Sequence, residues 1–166
     1  MNPNANLVIS RNIFWKLREI IEDHFTSWIY NTDYSIKMSY PENGEDITVY
    51  PSFVIDDEGF IPKPYQIGAR DKATFFYDIV IVSDNKPQRT YLNMLVWDNF
   101  HNRDYVLYDM SASEPSIVGD YSALSTKGIF RCLTGRCRNM EIRNDIDRKM
   151  RYESWILFDV ECPNYS

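Results

Sequence analysis

Five carboxylates stand where this chain could do chemistry. Asp56, Asp57 and Glu58 follow a β-rich run, and Asp78 and Asp159 sit inside runs that alternate like strands. Carboxylates fixed on neighbouring strands can converge on a divalent cation, which polarises a phosphoryl oxygen and activates a bound water; that is the chemistry of a metal-dependent nuclease. Neither strand carboxylate is followed by a nearby lysine: Asp78 leads into Ile79-Val80, and Asp159 into Val160-Glu161. The competing placement for both is toward water or a subunit interface, or beside an arginine such as Arg70 or Arg89.

Other catalytic chemistries find less. Cys132-x4-Cys137 has the spacing of half a zinc site, but His24 and His101 lie far off and there is no second cysteine pair. With Cys162 the cysteines are odd in number, and a chain of 166 residues needs no disulfide staple, so buried or half-buried thiols in a reducing cytoplasm are expected. Gly59, Gly68, Gly119, Gly128 and Gly135 are isolated, so no phosphate loop is readable, and Ser122 lacks both a nucleophile elbow and a base. The expectation is a non-enzyme with no cofactor and no metal.

Charge is more informative. Lys127 to Arg151 holds eight basic residues (Lys127, Arg131, Arg136, Arg138, Arg143, Arg148, Lys149, Arg151) against three acidic ones, a net of +5, so the remainder of a chain of net −6 carries −11. Glu42, Glu45, Asp46, Asp56, Asp57 and Glu58 form a block with no Lys or Arg between them. If one block meets the other on a neighbouring copy, the contact is head-to-tail and closes into a ring when the rotation allows. If both are solvated loops, their ion pairs contribute only about 0–1 kcal/mol each. Nucleic-acid binding by the basic block is disfavoured, because no groove-reading helix or aromatic platform accompanies it and the sequence pI is near 4.9.

The elements that must position these groups follow from periodicity. Residues Ser10 to Tyr30 carry Ile13, Phe14, Leu17, Ile20, Ile21, Phe25, Trp28 and Ile29 on one broad face, which predicts a long helix with Ser10 as N-cap. Asp46 to Ile55 is β-rich but broken by Pro51, as in an edge or bulged strand. Asp56 to Ala73, with Gly59, Pro62, Pro64 and Gly68, predicts an extended loop or hairpin arm. Phe75, Tyr77, Ile79 and Ile81 alternate with Phe76, Asp78, Val80 and Val82, a strand buried on one face and largely covered on the other. Ser83 to Pro87 then combines capping side chains with a proline suited to a first helical turn, and Leu92, Leu95, Val96 and Phe100 follow at helical spacing.

A short strand near Tyr105 to Met110, one or two more within Ile117 to Ile129, and an alternating strand from Met150 to Cys162 complete the reading. The fold class is α+β: a mostly antiparallel sheet against a long N-terminal helix and a second helix, one domain over residues 1–166 with an arm at 56–73. The N-terminus has neither the basic region of a signal peptide nor the length of a membrane span. Exposed tyrosines at Tyr40, Tyr50 and Tyr65 suit partner contact.

Gly68 and Arg70, the aromatic strand FFYDIVIV, the polar turn ending in Gln88-Arg89, the leucine-bearing helix and then VLYDM resemble the tail-completion proteins of tailed bacteriophages. The pattern is similar to that of tail terminators of the lambda minor tail protein U type and their neck relatives, and with the first helix and last strand it covers most of the chain. The resemblance implies a virion protein of the tail or neck, assembled in the host cytoplasm, that forms a homo-oligomeric, hexameric ring. Its partners would be itself, the tail tube protein and neck or connector proteins. Genomic DNA would pass through the lumen without specific binding, which an acidic wall favours, and no membrane is involved. A connector adaptor on the portal assembly is the alternative. The residues expected to carry assembly are Glu45, Asp46, Asp56, Asp57 and Glu58 on one side, Arg136, Arg138, Arg143 and Arg148 on the other, and Tyr65 in the arm.

Overall fold

The computed structural model describes residues 4–25, 33–38, 47–63, 72–143 and 150–162. Two helices and six strands follow in the order α1 (Ala5–Phe25), β1 (Ser35–Lys37), β2 (Ser52–Lys63), β3 (Lys72–Ser83), α2 (Lys86–Phe100), β4 (Arg103–Tyr108), β5 (Thr126–Arg143) and β6 (Met150–Glu161). The strands form one sheet in the order β1-β2-β3-β6-β5-β4. Every pairing is antiparallel except β1 with β2. The fold is α+β with both helices packed against a mostly antiparallel sheet.

β3 lies inside the sheet and is buried on both faces because its sequence is apolar at both parities. Phe75, Tyr77, Ile79 and Ile81 meet Val8, Ile9, Ile13, Leu17 and Ile21 of α1 and Leu92, Val96 and Phe100 of α2 in the main core. Val80 and Val82 point the other way and cluster with Ile47 and Val54, packed by Tyr50 and Trp155. Full burial of such a side chain is worth about 1.5–3 kcal/mol, so alternation along this one strand commits its register on both sides.

α1 begins earlier than the expected Ser10, since Ala5, Val8 and Ile9 extend its buried stripe. Ser10 is therefore not a cap. It lies inside the helix, where its hydroxyl donates to the Asn6 carbonyl at 2.8 Å and sits 3.1 Å from the buried Tyr77 hydroxyl. Asn12, also buried, grips β4 through its amide: Nδ2 donates to the Tyr108 carbonyl and Oδ1 accepts from the Tyr108 N–H, each at 2.9 Å. One side chain thus supplies the donor and acceptor that a neighbouring strand would otherwise offer. Residues 26–30 of the expected helix lie outside the described residues. α2 starts as expected, with Asn85 accepting from the Gln88 N–H at 2.8 Å and proline in the first turn.

Three expectations are corrected and one is narrowed. Pro51 does not break a strand; it precedes β2, where its missing N–H costs no ladder bond, and β2 has a strand on each side at its start. Asp56 to Lys63, expected in an extended loop or hairpin arm, takes the hairpin alternative as the second half of β2 paired with β3; residues 64–71 lie outside the described residues. Residues 116–124 are turns, and the Ser122 N–H and hydroxyl both bond the Asp120 carboxylate. The basic block from Lys127 is the 18-residue strand β5, where loops were the alternative to an interface.

β5 carries an irregularity between Thr134 and Arg136, and Gly135 sits in it. A Cβ there would lie 2.7 Å from the Leu157 carbonyl oxygen of β6, closer than real contacts allow. Gly135→Ala should therefore push β5 off β6 and cost about 1–3 kcal/mol, several °C in a thermal melt. An unchanged melting temperature would show that the irregularity yields freely.

Candidate functional site

Strand parity sends Asp78 to the face away from the helices, together with Phe76, Val80 and Val82. Register extends that placement across four strands: Asp56 pairs with Asp78, Asp78 with Leu157, and Leu157 with Arg136. Asp56, Asp78, Leu157 and Arg136 thus form one row. The next row is Val54, Val80, Trp155 and Arg138. A cavity of about 550 Å³ opens over them, lined by Asp78, Arg136, Arg138, Met140, Trp155 and Leu157. A second, of about 400 Å³, shares Asp78, Arg136 and Leu157 and adds Glu58 and Asp159 among its walls.

Asp78 is the unusual member of this site. It is only 6% exposed, yet it makes no hydrogen bond or ion pair with any described residue. Burial pushes its carboxyl up to about 6, and the negative charges of Glu58 and Asp56 add to the shift while Arg136 opposes it. A second carboxylate on the same face is buried differently. Glu153 is fully buried but satisfied, with Arg151 Nη2 at 3.3 Å from Oε1 and Trp155 Nε1 donating to Oε2 at 3.0 Å. This pairing fixes the Trp155 ring that walls the cavity. Sequence reading passed over Glu153, although Arg151, Glu153 and Trp155 at period two were the signal that the three share a face.

The acidic triplet is split by its own backbone. A register shift between Asp57 and Gly59, with Gly59 at φ +104°, turns the strand. Asp57 faces the helix side, where it accepts from the Gly59 N–H at 2.8 Å and from the Asn6 amide. Asp56 and Glu58 stay with Asp78. Among the described residues no group of three or more histidine, cysteine or carboxylate side chains could hold a metal ion.

The basic block divides as well. Lys127 pairs with Asp109 at 3.3 Å and Arg131 with Asp104 at 2.6 Å. Arg136 and Arg138 are exposed and make no ion pair with any described residue. Glu45, Asp46, Tyr65, Arg70 and Arg148, and the side chain of Arg143, lie outside the described residues. Arg89, weighed as a partner for Asp78, is buried on the opposite face, donating to the Met140 carbonyl at 3.3 Å and stacking over Tyr152. Tyr50, expected to be free for a partner, is half-buried against the valine cluster.

Two of the three thiols, Cys132 and Cys162, are buried, which pushes both up, Cys162 to about 12. Cys137 is exposed rather than buried and sits within 3.3 Å of the Ser154 hydroxyl and beside the Asn93 and Asn139 amides. None of these is a base. No helix among the described residues is long and apolar enough to cross a membrane. No protein-family model matches the chain, and no curated protein matches it in sequence.

A carboxyl whose folded pKa is raised above its unfolded value of 3.8 favours its neutral form in the fold. Its destabilising effect is absent below about pH 4, grows between about 4 and 6, and is complete above that. Asp78→Asn should therefore stabilise the folded chain at pH 7.5 by about 1–2 kcal/mol, with the gain vanishing toward pH 4. Denaturant titrations across that range would read it. A gain independent of pH would mean that the buried charge is not its source.

Proposed function

We propose that this chain is a structural, non-enzymatic subunit of a tailed-phage virion, forming a homo-oligomeric ring that terminates the tail tube and joins tail to head. The observation that carries this reading is the two-sidedness of the sheet. Both helices cover one face, and the other bears unneutralised charge of both signs at opposite ends of one row, Asp56 and Asp78 at one end and Arg136 at the other. A ring subunit needs two unlike, complementary patches. The resemblance of the Gly68 to Asp109 stretch to tail-completion proteins adds the setting.

In this role one surface of the ring would bind the last tube subunits and cover the strand edges that otherwise recruit more of them, and the other would dock the neck. The net charge of −6 suits a passage through which DNA slides without being held.

Light scattering of the purified protein should give a mass several times 19.7 kDa. Negative-stain images should show rings that cap one end of purified tail tubes. Binding to filled heads and not to tubes would shift the assignment to a connector adaptor. A monomer that binds neither would overturn the reading.

A further inference from the structure

Unmatched charge lies at both sides of the open sheet face. Arg11, Lys16, Arg18, Lys86, Arg89, Lys127, Arg131 and Arg151 all have a carboxylate of the same chain within 4.0 Å. Arg103, Arg136 and Arg138 have none among the described residues, the last two on the open face, and Asp56, Glu58 and Asp78 have no cation within ion-pair distance there. On the open face Asp56, Glu58, Asp78, Arg136 and Arg138 make no ion pair with one another. Strands lie about 4.8 Å apart, so β3 and β6 hold Asp56 and Arg136 roughly 14 Å apart at the backbone.

Among the described residues the sheet edges nearest to these groups are unpaired. β1 pairs only with Ser52 to Val54 of β2, and β4 only with Thr126 to Cys132 of β5. Among the described residues, Ile55 to Lys63 and Leu133 to Arg143 therefore have a strand on one side only. Arg89 occupies the Met140 carbonyl, so the open stretch of β5 ends near Asn139. β2 and β5 run in opposite directions through the antiparallel steps between them. A rotation axis along the strands keeps those directions and keeps Asp56 level with Arg136.

We propose that Asp56 and Glu58 of one subunit pair with Arg136 and Arg138 of the next, joining the open stretches of β2 and β5 head to tail. The contact rests on the ring reading and specifies its subunit junction. The partner is a second copy because one chain carries both unmatched halves at the same level of the sheet.

The test uses the full-length chain in three forms: wild type, Asp56→Arg with Glu58→Arg, and Arg136→Glu with Arg138→Glu. These four residues are outside the main core, and circular dichroism melts check that each variant folds. Each variant alone should associate at least about 100-fold more weakly than wild type. An equimolar mixture should recover the wild-type mass, because one variant presents only positive junctions and the other only negative ones. Wild-type rings with variants that assemble equally well alone would overturn the junction and leave the ring intact, as would a mixture of folded variants that stays dissociated. A monomeric wild type would overturn both.

Discussion

The register of β3 is the constraint from which the rest follows. Its inward residues, Phe75 to Ile81 at every second position, are committed to the helices. Its outward valines are committed to Val54, Ile47 and Trp155. A slip by one residue would exchange the two sets and drive Asp78 into the apolar core beneath α1, at a desolvation cost of several kcal/mol. Because β2 and β6 are paired to β3 along nearly its full length, that one choice also sets Asp56, Leu157 and, through β6, Arg136. The open face is assembled by the core on the other side.

That face holds two buried carboxylates with opposite fates. Glu153 has an arginine and an indole N–H on its own strand, so its charge is neutralised wherever β6 forms. Asp78 has like charges on the adjacent strand and a cation two strands away. The first arrangement holds Trp155 in place and asks nothing of a partner. The second leaves electrostatic free energy to be released by whatever brings a cation near, which is why the face reads as unfinished while the helix face does not.

How far the sequence could be read depended on whether a segment declares itself locally. β3, α2 and β6 did, because alternation at period two and the Asn85-Pro87 start are local signals. β5 did not. Thr126 to Arg143 is rich in arginine, and its apolar residues include the adjacent pairs Ile129-Phe130 and Cys132-Leu133 with Met140 seven residues on, which gives no single period; β6 beside it and β4 against its first third make it a strand. The start of α1 was misplaced because Ser10 looks like a cap, and only the buried Tyr77 hydroxyl explains a serine inside the helix. The acidic and basic blocks were legible as charge. Their division into members neutralised within the chain and members left over required the register.

The two open edges share a further property. β2 shifts register between Asp57 and Gly59, and β5 between Thr134 and Arg136; Asp57 is level with Tyr77 and Thr134 with Phe158, which are themselves paired. Both irregularities therefore lie at one height of the sheet. A bulge at an edge raises the local twist and spoils the straight ladder that a stray strand would need. A flat edge would add any β-segment; an edge kinked at one level suits a strand kinked at the same level and rejects the rest. Gly59 with its positive φ and Gly135 against the Leu157 carbonyl are the residues that permit the kinks, so partner selectivity at these edges would be held in backbone shape as well as in charge.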